Sequence, residues 1–312
     1  MIRLLLASFL ALLLAASPAA AQKRIALTFD DVPRDRGAFL THEERTVKLI
    51  AALERARVEQ AAFFVTAGFL EDPDRRGGED RITAYTAAGH VLANHSFTHP
   101  HLSQVSASAY LANLDSTEAW LKGREGRRPW FRHPYLDEGM ADKAKRDAVR
   151  AGLKARGLRN GYVTVDGADW HIEMLTQEAA RAGKTMDMNA LRDFYVETHV
   201  AAANFNDALA RRLLKRSPAH VLLLHETDIA ALFIDDLVQA LRADGWEIVT
   251  ADKAFADALR REMPDPANTN GTLLAQIANA RGLSLETWPP AAGQTLQKRL
   301  FSERVLKETP AP

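Results

Sequence analysis

From residue 23 to about residue 260, short apolar runs alternate with longer amphipathic ones. IALTF at 25–29, AAFFV at 61–65, HVLAN at 90–94, WFRHP at 130–134, GYVTV at 161–165, AHVLLLH at 219–225 and WEIVT at 246–250 read as strands. They are almost continuously apolar rather than strictly alternating, which is the pattern of strands covered on both faces. Between them lie stretches of helical period: 41–56, roughly 80–88, 104–121, 141–155, a long region over 172–215 read as two helices, 231–243, and a run capped by Thr250. Thr41 and Glu44 have the spacing of a capping box, and Gly89 and Gly245 mark helix ends.

Apolar strands separated by helices imply a parallel sheet with helices outside it. Seven such units fit an α/β fold of the distorted or incomplete (β/α)7–8 barrel type better than an open sheet, although pattern alone leaves the strand order of an open doubly wound sheet available. Residues 22–262 form this expected domain. Residues 263–312, Pro-bearing and then weakly helical, are read as a C-terminal extension packed on the barrel.

The N-terminus changes the picture of where the chain works. Arg3 precedes an apolar run from Leu4, and Ala19, Ala20 and Ala21 follow it. That is the layout of a secretory signal peptide over 1–21, with cleavage expected after Ala21. The apolar run is shorter than the roughly 20 residues that span a bilayer, so the expectation is an exported protein, periplasmic or extracellular, without stable membrane insertion after cleavage. Lys plus Arg number 40 and Asp plus Glu 40, and without a basic run nucleic acid is not an expected partner. Nothing in the pattern specifies an oligomer. There is no cysteine, so a metal here must be held by His, Asp or Glu.

Candidate chemistry collects at one topological position. In parallel α/β folds, reactive groups sit at the carboxyl ends of strands. Asp30-Asp31 follows IALTF, HSFTH (95–99) follows HVLAN, Arg132-His133 and Tyr135 sit at the fourth strand, DGADW (166–170) follows GYVTV, and His225 ends AHVLLLH. Two histidines four apart can be metal ligands or unrelated side chains, and their spacing does not decide. Adjacent carboxylates in a partly buried mouth repel unless a cation takes up the charge. A divalent ion on Asp31, His95 and His99 would do so, leaving Asp30 as candidate base. Such a His₂Asp set with an open position suits catalytic Zn²⁺ or a related ion. Arg132 is placed to pair with Asp30, and Asp169 to orient His225 as an acid. The same triad is also the ligand set of non-haem Fe(II) oxygenases. His133, His171, Trp130 and Trp288 are read mainly as packing residues.

TFDD, HSFTH, RHPY, DGADW and LLLH, in this order, resemble the five motifs of the polysaccharide deacetylases (carbohydrate esterase family 4, the NodB homology domain) over roughly 24–260. The resemblance implies a distorted (β/α) barrel and metal-dependent hydrolysis of N- or O-acetyl groups, N-acetyl first, on a polysaccharide or oligosaccharide. One divalent ion is implied, Zn²⁺ first, then Co²⁺, Ni²⁺ or Mn²⁺. By motif, Asp30 matches the base, Asp31, His95 and His99 the metal ligands, and Arg132 the residue holding the base. Tyr135 matches the position whose backbone N–H meets the oxyanion. Asp169 matches the partner of the acid His225, and Trp170 and Leu224 match walls of the acetyl pocket. Two departures are Val32, where a glycine usually follows TFDD, and Leu136, where many members read PYG or PxG. The same machinery could serve a small non-sugar amide, and the same fold a non-catalytic carbohydrate-binding protein.

Overall fold

The computed structural model describes residues 22–308. The leader-like segment 1–21 lies outside the described residues. In chain order the first half comprises β1 (Lys23–Val32), α1 (His42–Arg55), β2 (Ala62–Val65), α2 (Gly78–Ala87), β3 (Val91–Asn94), α3 (Ala107–Leu121), β4 (Arg127–Phe131), β5 (Asp137–Met140) and α4 (Lys143–Ala155). The second half comprises β6 (Arg159–Asn160), β7 (Val165–Asp166), α5 (Asp169–Arg181), α6 (Met188–Leu214), β8 (Ala219–His225), α7 (Asp228–Ala243), β9 (Trp246–Ile248) and α8 (Ala251–Phe255). The C-terminal region adds β10 (Thr269–Asn270), α9 (Leu273–Ala280) and α10 (Gln294–Leu300). Thr41 and Glu44 form the capping box at the start of α1.

The main sheet runs β6-β4-β3-β2-β1-β8-β7, every pair parallel, with β9 joining the start of β1. This is a barrel of the distorted kind, and its closure differs from expectation. GYVTV is not one strand. Its flanks form the short β6 and β7, and the residues between pass from one sheet edge to the other: Gly161 N–H donates to Phe131 O (2.7 Å) and Thr164 N–H to Val221 O (3.0 Å). A segment that must reach both β4 and β8 cannot pair continuously with either. The fourth strand is also shifted, covering Arg127–Phe131 rather than 130–134. Pro134 has no N–H to extend the ladder.

Strand alternation builds two cores. Ile25, Leu27, Phe29, Leu222 and Leu224 face the helical layer, packing with residues of α1, α5, α6 and α7 such as Leu49, Ile172, Phe194 and Leu237. The opposite parity, Ala26, Ala62, Phe64, Val91, Ala93 and Val221, shares a second cluster with Trp130, Tyr162, Phe255 and the α9 residues Leu273, Leu274 and Ile277. Within the C-terminal region, β10 pairs antiparallel with β5, and Phe301 and Val305 are buried in the first core. No described helix is long and apolar enough to cross a membrane.

Candidate active site

The inward parity that is apolar low in the barrel becomes polar at its carboxyl end. On β1, Thr28 and Asp30 follow Ala26, and Asp30 lies in register with His225 on β8. Alternation alone would turn Asp31 away from Asp30. Instead the β1–β2 register shifts between Phe29 and Val32, and Asp31 takes φ 63°. This bulge-like break brings both carboxylates to one cleft.

HSFTH is a turn, not a helix. Asn94 Oδ1 accepts from Ser96 N–H (2.7 Å), Ser96 Oγ from His99 N–H (3.1 Å), and Asn113 Oδ1 from Phe97 N–H (2.8 Å) and Thr98 N–H (3.1 Å). Ser96 and His99 adopt φ 70° and 58°. The folded-back turn carries the His99 Nε2 to 3.1 Å from the His95 Nε2. Six of the ten described non-glycine residues with positive φ (Asp31, Ser96, His99, Tyr135, Leu136 and Ala168) belong to these strand-end segments. Each such conformation costs about 1–3 kcal/mol, so the surrounding fold imposes the geometry.

Asp31, His95 and His99 are the one group of three metal-competent side chains found among the described residues. Asp31 Oδ1 lies 3.5 Å from the His95 Nε2 and 3.0 Å from the His99 Nε2. Four donors about 2.0–2.1 Å from a tetrahedral ion stand about 3.3 Å apart, so this triangle matches one face of that tetrahedron. Two further observations fit a cation. Asp31 Oδ1 is buried without a hydrogen-bond partner. His95 Nδ1 donates to Arg132 O (2.9 Å), which leaves the neutral ring's Nε2 lone pair facing the triangle. Burial alone would raise the Asp31 carboxyl, but His99, His95 and Arg34 outweigh it and hold the group well below its ordinary value.

Two pairs, one buried and one partly buried, flank the triangle. Arg132 contacts Asp30 Oδ1 at 2.6 Å and also donates to Gly161 O (2.7 Å) and Thr28 Oγ1 (2.8 Å). Its guanidinium lies 3.8 Å from the Phe64 ring centroid, where a Cβ on Gly161 would come within 2.6 Å of the same ring. The free Asp30 Oδ2 is 3.6 Å from the His95 Nε2. On the other side, Asp169 Oδ1 meets the His225 Nδ1 at 2.8 Å, and Asp169 Oδ2 accepts the His225 backbone N–H at 2.7 Å. Burial lowers the His225 pKa, but Asp169 more than reverses this, and the net value is raised. The His225 Nε2 is left facing the cleft, 4.0 Å from Asp31 Oδ2.

The cleft has a volume of about 830 Å³ and is lined by Asp30, Asp31, His95, His99, Tyr135, Trp170 and His225 among others. Tyr135 stacks on His101 at 3.5 Å and meets the His99 ring edge-on at 4.4 Å. One assignment needs correction. Leu224 is fully buried in the helix-facing core, and Leu223 lines the cleft instead. Strand period explains this, because Leu223 and His225 share a face and Leu224 does not. Trp130 is a core residue, whereas Trp288 lines the cleft. His133 and His171 are buried, bonded to Tyr110 and Gln297.

Two charged cleft residues stand outside the set expected from sequence. Asp166, the first residue of DGADW, is buried, and its pKa is pushed up to about 6 by that burial, with Asp169 and Asp30 adding to it. Its motif position was the available signal. Arg34 forms an ion pair with Asp31 Oδ2 and has its backbone N–H held by Glu226 Oε2 (2.8 Å); no periodicity marks it.

The sequence profile for "Polysaccharide deacetylase" matches residues 17–156. The chain is 24% identical over 239 residues to a chitin deacetylase of Colletotrichum lindemuthianum, covering 75% of this chain and 80% of that protein. It is 27% identical over 121 residues to a peptidoglycan-N-acetylglucosamine deacetylase of Bacillus cereus, covering 39% of each. The solved structure of the Colletotrichum lindemuthianum chitin deacetylase superposes with a TM-score of 0.51 at 20% identity, covering 76% of this chain and 91% of that one, a likeness of fold. The five motifs stand in order on a parallel barrel, and over the residues these comparisons cover the chain is similar to polysaccharide deacetylases.

Proposed function

We propose that this chain is a metal-dependent hydrolase that removes acetyl groups, N-acetyl first, from a polysaccharide or oligosaccharide. The observation that carries this reading is one juxtaposition. Asp30, anchored by Arg132, and His225, anchored by Asp169, flank the Asp31–His95–His99 triangle. A parallel barrel is not the β-sandwich setting usual for two-histidine, one-carboxylate oxygenases, which weighs against oxidation chemistry.

A divalent ion in the triangle, Zn²⁺ first, supplies a Lewis acid for the acyl oxygen and makes a water acidic enough to attack at neutral pH. Asp30 takes the proton of the attacking water on Oδ2, since Arg132 engages Oδ1. The Tyr135 backbone N–H meets the oxygen that gains charge. His225 delivers a proton from Nε2 to the departing amine or alcohol, so the acyl C–N or C–O bond breaks as the water oxygen joins carbon and acetate leaves. Trp170 and Leu223 bound the acetyl group. The leader-like 1–21 segment supports export to the periplasm or beyond, where acetylated glycans are accessible.

Acetate release should be measured across chitin oligomers, peptidoglycan, exopolysaccharide and acetylated xylan, with Zn²⁺ and with Co²⁺. Asp30→Asn and His225→Ala should each abolish most turnover while retaining the metal. Near-normal turnover in either variant, or loss of metal from a folded one, would overturn these roles.

A further inference from the structure

Eight of the nineteen described residues lining the cleft come from 268–288, outside the barrel proper. This stretch is held firmly against the barrel. Asn270 lies in register with Asp137 on β5, Gly271 N–H donates to Leu136 O (3.2 Å), and Leu273 N–H donates to Val163 O (2.8 Å). Arg146 donates to Thr269 Oγ1 (2.8 Å). The buried residues Leu273, Leu274 and Ile277 fix the inner side of α9. Thr272, Ala275 and Asn279, spaced three and four apart, therefore share the side that lines the cleft.

The two halves of the cleft differ in chemistry. The barrel half carries the ionisable groups Asp30, Asp31, Arg34, Asp166 and the histidines. The C-terminal half offers amides on Asn268, Asn270 and Asn279, hydroxyls on Thr272 and Thr287, and the half-buried Trp288 indole, with no ionisable side chain among its described lining residues. Amides and hydroxyls around an aromatic face suit uncharged hydroxylated rings, which present C–H faces to an aromatic and O–H groups to amides. A ring bearing a carboxylate would meet no counter-charge on this wall.

We propose that residues 268–288 form a sugar-binding wall that takes uncharged sugar rings adjoining the one being deacetylated, and so select a neutral N-acetylated oligosaccharide. This rests on the deacetylase reading for the adjoining site. Trp288 is the residue that stacks on the sugar, and Asn270 and Asn279 supply hydrogen bonds to it.

The test is calorimetric binding of tetra-N-acetylchitotetraose to the full-length, zinc-loaded Asp30→Asn protein, which reads the wall without turnover. Adding Trp288→Ala should weaken binding about tenfold. Trp288→Phe should retain most of the affinity, and Asn279→Ala should weaken it by about three- to tenfold. N-acetylglucosamine, which cannot span both halves, should bind alike in all variants. Tetrasaccharide affinity unchanged in folded Trp288→Ala and Asn279→Ala proteins overturns the proposal. Tighter binding of a uronate-containing tetrasaccharide than of the neutral one overturns it as well. Failure of the wild type to release acetate from any glycan would sink the deacetylase reading and leave the binding result standing by itself.

Discussion

Replacing Asp169 by asparagine tests the proposed acid most directly. The fully buried carboxylate touches His225 twice, at Nδ1 (2.8 Å) and at the backbone N–H (2.7 Å). Asparagine keeps the shape and one acceptor but removes the charge that raises the His225 pKa above its ordinary value. An opposite charge at this range moves a titration by about one to three pH units. The alkaline limb of the acetate-release profile, where His225 loses its proton, should therefore move toward acid by that amount in Asp169→Asn. Maximal turnover should fall by about 10²–10⁴, the usual contribution of a positioned acid. Stability follows from the signs of the two shifts. Asp169 is lowered, because His225 outweighs the raising effect of burial, so its share is present above the unfolded carboxylate value of about 4 and is lost as pH falls through the folded one. His225 is raised, so its share is full below the unfolded histidine value and is lost as pH rises through the folded value. Urea unfolding of wild type and variant should thus differ most between those limits, by about 3 kcal/mol for a broken buried pair. A folded, metal-replete Asp169→Asn enzyme with an unmoved alkaline limb would refute the reasoning.

Three further outcomes follow from the same geometry. Arg132→Met leaves Asp30 buried without its cation and should cost about 3–5 kcal/mol, read as a lower urea midpoint at pH 7; an unchanged midpoint would mean Asp30 finds another partner. Leu224→Ala should destabilise by about 2–5 kcal/mol as a core truncation, while Leu223→Ala should chiefly raise KM, and the reverse pattern would restore Leu224 to the cleft. Zinc at about 100 times its Kd should add about 2.7 kcal/mol to unfolding stability, seen as a raised Tm that chelator reverses, and His99→Ala should abolish that increment.

Much of the site was legible because it depends on which residues end the strands. Asp30, His95 and His225 sit where strand parity and parallel topology put them, so motif order alone could assemble them. Asp31 was legible as a residue but not as a geometry, since its approach to Asp30 needs a left-handed backbone that no propensity announces. Leu224 shows the opposite failure: alternation along AHVLLLH already pairs Leu223 with His225, and carrying a motif over by position hid that period. The crossing at 161–164 depends on two distant partners, Phe131 and Val221, and the C-terminal wall depends on β5, α4 and α6. Local sequence does not encode such long-range contacts.

Leu136 shows what one backbone angle means for the enzyme's evolvability. It holds φ 51° and lines the cleft where its carbonyl receives the Gly271 N–H. A left-handed leucine costs about 1–2 kcal/mol that glycine would not incur. Leu136→Gly would relieve that strain and, by the same atoms, open the boundary between the barrel half and the C-terminal wall. On the proposed reading of that wall, robustness and selectivity are set against each other at a single position.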